Sequence, residues 1–270
     1  MQDEQEKNGL EQYRIADAPA SLYYIPNFIS PEEEQHILES IPPNKWISLS
    51  HRRLQAIPSR LSNTNTLLAS PLPNWLAHPI TDRFKDHRIF SDSPHGGANH
   101  CLINEYLPGQ GIMPHEDGAA YHPVVATVSL NGSLVLEITP KTAPDSAAVA
   151  TAEDHSSSAP GDPSSTSEEN SPNISQHPTS WRILQEPRSL LLTTEPAYST
   201  TLHGIPSVHA DEGLTSSTVA NWAHLSPSTQ QKIVADGDRN ERATTRISLT
   251  FRDVRKVSSL GMKVFGKVRT

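Results

Sequence analysis

Asn104–Asp117, NEYLPGQGIMPHED, reads as a strand end, a turn and a metal-binding pair. Asn104 and Tyr106 stand two apart, so on an extended chain both project from the same face. Pro108-Gly109 and Gly111 then bend the backbone. His115 and Asp117 are again two apart and again able to share a face. An imidazole and a carboxylate offered together are two of the three ligands of a 2-His-1-carboxylate facial site, which leaves coordination positions open on Fe(II). The third ligand, a second histidine, has to come from elsewhere. A lone His-x-Asp triplet also arises by chance, so the surrounding chain has to decide its meaning.

The surroundings read as strands. From His100 the hydrophobic period is two: HCLINEY is one strand, and Val124–Leu130 is another, with Val124, Ala126, Val128 and Leu130 facing one way. Leu134–Ile138 follows the hairpin signal Asn131-Gly132. Ser189–Thr194 is a further strand, with Tyr198–Leu202 as its expected partner across Glu195-Pro196-Ala197, ending at His203-Gly204. The last clear strand is TRISLTFRDV. Ile247, Leu249 and Phe251 form its apolar face, and Arg246, Ser248, Thr250 and Arg252 the other. Two arginines on the inner face of such a strand are costly unless an anion meets them. The bland reading is a surface strand laced with salt bridges.

Upstream, residues 13–29 read as a short strand leading into a helix. Ser30-Pro31-Glu32-Glu33 is a capping box, and Ile41-Pro42-Pro43 ends the helix near Ser40. Residues 44–62 are aromatic and basic strand and loop. Leu72–Arg88 is helical, with Trp75, Leu76, Ile80 and Phe84 on one side and a kink at Pro79. Residues 140–180 and 207–243 are polar, and both read as flexible inserts. Asn173-Ile174-Ser175 matches a glycosylation sequon, meaningful only in a secreted chain.

The 270 residues suffice for one large or two small domains, and 35% hydrophobic content implies substantial loop. A single cysteine, Cys101, excludes an internal disulfide and a cysteine-based zinc site, and fits a reducing compartment. The polar start MQDEQEKNG is no signal peptide, and no apolar run nears a membrane-spanning length, so a cytoplasmic or nuclear protein without membrane contact is expected. A net charge of -8 argues against an overall nucleic-acid footprint. The charge is uneven, however. Residues 1–40 hold nine acids and two Lys/Arg, residues 41–80 hold Lys45, Arg52, Arg53 and Arg60 with no acid, and residues 254–270 hold five Lys/Arg with no acid. A polyanion could meet such a local basic face; ordinary surface variation is the alternative.

NEYLPGQGIMPHEDG, EPRSLLLTTEPAYSTTLHGI and RISLTFRDV, in that order, resemble the AlkB family of Fe(II)/2-oxoglutarate-dependent dioxygenases, nearest its homologue-six subgroup. The resemblance covers most of residues 100–255. It implies a mostly β (α+β) fold: a double-stranded β-helix, or jelly roll, over 97–258, a supporting helical recognition region over 1–96, and a basic tail over 259–270. It implies His115, Asp117 and His203 as the iron ligands, and Asn104, Tyr106, Arg246 and Arg252 around 2-oxoglutarate, with Arg246 on the distal carboxylate. Ser248 stands where several members have Asn, and the run from His203 to Arg246 is longer than in compact members. His209 is the chief rival to His203; His122 reads as exposed or lining the entrance, and His155 and His177 fall in the insert.

The expected reaction uses Fe(II), 2-oxoglutarate and O2, with succinate and CO2 as products, and hydroxylates a C–H bond. On an N-methylated base of RNA or DNA this releases formaldehyde, and the base has to be flipped or single-stranded. Lys45, Trp46, Arg52 and Arg53 are the candidate nucleic-acid contacts, although Trp46 also suits a core position. The alternatives are the same chemistry on a protein side chain, or a binding module without catalysis.

Overall fold

A computed structural model of the chain describes residues 9–141 and 180–258. Its strands are β1 (Leu22–Ile25), β2 (Ile47–Ser48), β3 (Arg53–Ile57), β4 (Thr66–Leu68), β5 (His100–Tyr106), β6 (Ile112–His115), β7 (Val125–Leu130), β8 (Leu134–Pro140), β9 (Trp181–Gln185), β10 (Leu190–Thr193), β11 (Thr201–Ile205), β12 (Ala210–Asp211), β13 (Asn240–Glu241), β14 (Arg246–Arg252) and β15 (Lys256–Ser258). One sheet has seven strands in the order β1-β10-β7-β14-β5-β3-β2, and a second has four in the order β6-β11-β8-β9. Every pairing in both is antiparallel. Strands β5, β7, β10 and β14 lie in the larger sheet and β6, β8, β9 and β11 in the smaller, so the chain passes back and forth between the two as in a jelly roll, with β8 and β9 paired as neighbours within one sheet. The expected fold class is the one found, and β1, β2 and β3 extend its larger sheet at both edges.

The parity of β14 decides what each face of the larger sheet does. Leu249 and Phe251 are fully buried against the helical side, where Phe251 meets Phe84 edge-on at 5.2 Å and Ile37, Leu76 and Ile80 join the cluster. Burying a side chain such as Phe251 is worth about 2–3 kcal/mol. The opposite parity, Arg246, Ser248, Thr250 and Arg252, lines a cavity between the two sheets.

Helix Pro31–Ser40 starts as its sequence dictates. The Ser30 hydroxyl accepts from the Glu33 amide at 3.2 Å, and the Glu33 carboxylate accepts from the Ser30 amide at 2.7 Å. Such a cap is worth about 1 kcal/mol. Glu34, on the inward side, accepts from the Asn131 amide at 2.7 Å and from Arg188 Nη1 at 3.0 Å, tying the helix to the β7–β8 turn. Asn131 occupies that turn at φ 66°, the left-handed region that Asn tolerates.

Four expectations need correction. The helix over 72–88 is two pieces, Asn74–Ala77 and Ile80–Asp86, because Pro79 has no amide to continue the first. Tyr198 lies in a helical turn, Ala197–Thr200, closed by the Thr201 hydroxyl donating to the Ala197 carbonyl at 2.8 Å. The strand that follows, β11, crosses to the four-stranded sheet instead of pairing with β10, so His203 is mid-strand and not at a strand end. The stretch 207–243 is built structure. It holds helix Pro227–Ala235, places Leu214, Val219, Leu225 and Ile233 in the core, and carries a buried Arg242–Asp211 pair at 2.5 Å. Finally, β9, Trp181–Gln185, is a strand ahead of the expected Ser189–Thr194 that the sequence reading did not assign. Most of 140–180, with His155, His177 and the sequon, and the tail 259–270 lie outside the described residues. Among those described, no helix is long and apolar enough to cross a membrane.

Candidate metal and cosubstrate site

The cavity between the sheets collects all seven expected site residues: Asn104 and Tyr106 from β5, His115 from the end of β6, Asp117 just after it, His203 from β11, and Arg246 and Arg252 from the two ends of β14. Register does the placing. In the β6–β11 pair His203 stands opposite His115, and their ring centroids are 4.3 Å apart. That pairing requires two glycines. A Cβ at Gly204 would lie 2.9 Å from the Pro114 nitrogen, and one at Gly111 would lie 2.2 Å from the Ile205 carbonyl oxygen. Neither contact is tolerable, so only glycine lets these strands approach. On β14, Arg246 pairs with Tyr106 and Ser248 with Asn104, which sets the anionic-ligand side of the cavity.

The donor set suits a divalent metal. His115 Nδ1 lies 2.9 Å from the Met113 carbonyl oxygen. A carbonyl only accepts, so Nδ1 carries the proton and Nε2 offers its lone pair; orienting a ligand imidazole through a backbone carbonyl is a common arrangement. Burial, opposed by Asp117 and assisted by His115 and Arg252, pushes His203 down to about 4, which keeps the ring neutral at physiological pH. Arg252 Nη2 donates to Asp117 Oδ1, so the third expected ligand, a carboxylate, is held by a guanidinium. Among the described residues no three His, Cys, Asp or Glu side chains are already gathered as a ligand set.

The side of the cavity around Arg246, where 2-oxoglutarate is expected, carries a clearer signature. Arg246 is 3% exposed, and burial lowers it to about 10 from its ordinary value. Its Nη2 donates to Ser129 Oγ at 2.8 Å and to Gln185 Oε1, yet its Nε is buried without a partner, as is Arg252 Nε. A buried guanidinium with an unused donor and no carboxylate fits an anion that arrives from outside the chain. Arg246 also lies over the Tyr106 ring, 5.9 Å from its centroid.

No family model matches the chain. In sequence it is 44% identical over 131 residues to a Danio rerio protein named "Probable RNA/DNA demethylase ALKBH6", covering 47% of this chain and 54% of that one. It is 30% identical over 129 residues to the Xenopus tropicalis "tRNA (carboxymethyluridine(34)-5-O)-methyltransferase alkbh8", covering 44% of this chain and 20% of that one. Over these segments the chain is similar to AlkB proteins. The match spans about half the length of the zebrafish relative and a fifth of the frog one. The solved structure of OsALKBH1 superposes with TM-score 0.48 at 12% identity over 87% of this chain and 99% of that one, which adds nothing to the strand-by-strand topology above.

Other residues of the chain fall less simply. His209 packs beneath Gly109, where an added Cβ would lie 2.8 Å from its Nε2, and it does not line the cavity. His122 does not line it either; its amide donates to the Asp253 carbonyl at 2.8 Å. Of the expected nucleic-acid contacts, Arg53 is engaged with Glu105 at 2.5 Å and lies 4.6 Å over the Trp46 ring, which itself packs on the core. Lys45 is exposed outside the cavity, while Arg52 lines it and donates from Nε to Asn104 Oδ1 at 3.2 Å. Three residues at the site escaped the sequence reading, of which Gln185 and Tyr198 line the cavity. Gln185 and Ser129 hold Arg246, and Tyr198 donates to the Gly118 carbonyl at 2.7 Å, bracing the loop that carries Asp117. Burial and the nearby Asp117 push the Tyr198 hydroxyl up to about 12, so it stays a donor.

Proposed function

We propose that this chain is an Fe(II)- and 2-oxoglutarate-dependent dioxygenase that removes a methyl or larger alkyl group from a nucleic-acid base. One observation carries the reading: a buried guanidinium with an unpartnered donor, Arg246, shares a cavity with two facing imidazoles and a carboxylate contributed by separate strands. A structural core gains nothing from that combination, because each group costs several kcal/mol to bury unpaired.

Bound there, Fe(II) with 2-oxoglutarate and dioxygen supplies oxidative hydroxylation of a C–H bond, with succinate and CO2 as co-products. His115, His203 and Asp117 would hold the metal through two imidazole nitrogens and a carboxylate. Arg246 would bind the distal carboxylate of 2-oxoglutarate, with Tyr106 closing one side and Ser248 offering a hydroxyl. Arg252, which donates to Asp117, would orient that carboxylate and add positive charge to this end of the cavity. Asn104 is oriented by Arg52. The walls formed by Leu136, Ile138, Leu191 and Ile205 keep bulk water from the reacting centre. Hydroxylating an N-methyl carbon leaves a product that falls apart to formaldehyde and the free base. The cavity is enclosed by two sheets, so only a base outside a stacked duplex can enter.

The names carried by the AlkB relatives, a probable RNA/DNA demethylase and a tRNA-modifying enzyme, support the choice of nucleic acid. The test is succinate formation from 2-oxoglutarate with Fe(II), followed by formaldehyde release on methylated oligonucleotides compared with methylated peptides. Succinate formation that disappears in His115→Ala, with formaldehyde from oligonucleotides alone, is the expected result. Equal succinate from His115→Ala refutes the enzyme, and formaldehyde from peptides alone refutes the substrate.

A further inference from the structure

The two stretches of sequence that carry basic residues without any acid, 41–80 and 254–258, meet on the surface. Strand β15 runs parallel to β4, with Lys256 opposite Thr66, Val257 opposite Leu67 and Ser258 opposite Leu68. Arg60, Arg255 and Lys256 are all exposed, and none makes an ion pair among the described residues. Beside them the turn 62–66 shows a ladder of exposed hydroxyls: Ser62 Oγ to Thr64 Oγ1 at 2.9 Å, and Thr64 Oγ1 to Thr66 Oγ1 at 3.2 Å. The nearest acid along the chain, Asp253, is fully buried and engaged by His95 Nδ1 at 2.6 Å and Asn99 Nδ2 at 2.7 Å, so its charge is turned inward. On a chain of net charge -8, the segments 41–80 and 254–258 thus bring cations and hydroxyls to this surface and contribute no carboxylate to it.

That surface joins the cavity. Val254 bridges Tyr121, and the Arg255 amide donates to the Ala120 carbonyl at 3.1 Å, so Arg255 abuts the loop that follows Asp117. Its charge is felt at the Tyr198 hydroxyl, which lines the cavity. Lys256 stands opposite Thr66 in the β4–β15 pair, and Arg60 precedes by two residues Ser62, whose amide donates to the Thr66 carbonyl at 2.9 Å.

We propose that the β4–β15 surface, through Arg60, Arg255 and Lys256, carries the phosphates of a single-stranded nucleic acid whose modified base occupies the cavity. The inference rests on the dioxygenase reading only for the position of that base; phosphate binding by this surface is measurable whatever the cavity does. Exposed unpaired cations that neutralise phosphates release the counterions condensed on the nucleic acid, and hydroxyls add sequence-independent bonds to phosphate oxygens. Arg53, by contrast, is already matched by Glu105 and has no charge to spare.

The experiment measures binding of a fluorescent single-stranded 12-nucleotide oligomer of mixed sequence to the full chain, from 50 to 200 mM salt. The comparison is with Arg60→Ala/Arg255→Ala/Lys256→Ala. Three phosphate contacts contribute a slope of roughly 2 in log K against log salt for a single strand. The wild type should therefore lose about sixteen-fold more affinity than the triple variant over this range. A control variant, Lys85→Ala/Lys232→Ala/Arg239→Ala, removes three cations from elsewhere on the surface. An unchanged slope in the first variant, an equal loss in the control, or no binding by the wild type at 50 mM salt overturns the proposal. Equal binding of polyglutamate with the same loss overturns the nucleic-acid assignment. Succinate formation is scored separately, so a failed surface and a failed active site are told apart. Should the triple variant melt early, Arg255→Gln alone, expected to lose about 0.7 of slope, replaces it.

Discussion

Replacing Arg246 with methionine separates a functional charge from a structural one. In the folded chain this guanidinium is lowered to about 10 by burial, which corresponds to about 3 kcal/mol of unfavourable charge burial. Against that stand its bonds to Ser129 Oγ at 2.8 Å and to Gln185 Oε1, worth about 1–3 kcal/mol each to a charged donor. Ser129 and Gln185 keep each other once the arginine is gone, since Ser129 Oγ already donates to Gln185 Oε1 at 3.2 Å. The terms nearly cancel, so Arg246→Met should change the stability of the ligand-free protein by less than about 2 kcal/mol in either direction. Binding is another matter. Removing one partner of a buried carboxylate–guanidinium pair costs about 2–5 kcal/mol, a loss of roughly thirty-fold to a few thousand-fold in affinity for 2-oxoglutarate. The assay is thermal unfolding with and without 2-oxoglutarate and Mn(II), alongside calorimetric titration. A ligand-induced rise in Tm that is present in the wild type and absent in the variant is the expected outcome. A variant that still binds 2-oxoglutarate within a few-fold of wild type refutes the assignment of Arg246. A variant that loses most of its unliganded stability shows instead that the arginine is there for the fold.

Three further outcomes follow from the same geometry. His100 and His203 are both pushed by burial to about 4, below the ordinary 6.5, so the unfolded chain takes up protons between those values and the folded chain does not. The stability is fully present above about pH 6.5 and is lost as pH falls towards 4, by about 3 kcal/mol per ring, and His100→Phe should remove roughly half of that acid loss in Tm measured against pH. Tyr198→Phe deletes the bond to the Gly118 carbonyl, and should weaken Mn(II) binding about five-fold while leaving Tm nearly unchanged; unaltered metal affinity would show that the Asp117 loop needs no brace. Asp211→Ala strands the buried Arg242 and should cost about 3–5 kcal/mol in urea unfolding, whereas a loss below 1 kcal/mol would mean that 207–243 contributes little to the fold.

Where one face of a strand was buried and the other lined the cavity, the sequence was readable. The two-residue periods of HCLINEY, VATVSL and RISLTFR became β5, β7 and β14 because alternation is what a two-sided sheet demands. The Ser30 capping box was legible for a local reason, since its partners are three residues apart. Trp181–Gln185 was not legible. Ile183, Leu184 and Gln185 are consecutive buried residues, so no period marks the strand, and the polar stretch before it blurs its start. In 207–243 the core residues Leu214, Val219, Leu225 and Ile233 fall at irregular intervals, and the tie that fixes the segment, Asp211 with Arg242, spans thirty-one residues. The convergence of His115 with His203 depends on a non-local register and on the close approach at Gly204, which no single strand announces. Here the family resemblance named His203, which the register places opposite His115 in the middle of β11. The roles of Ser129 and Gln185 beneath Arg246 could be seen only once the sheets were stacked.

Mn(II) titration, followed by electron paramagnetic resonance on the wild type, His203→Ala and a His209→Ala control, tests the convergence of the three ligands most directly. One tightly bound ion per chain, kept in His209→Ala and weakened at least a hundred-fold in His203→Ala, is what the site described here requires. One ion bound equally well by His203→Ala would contradict it.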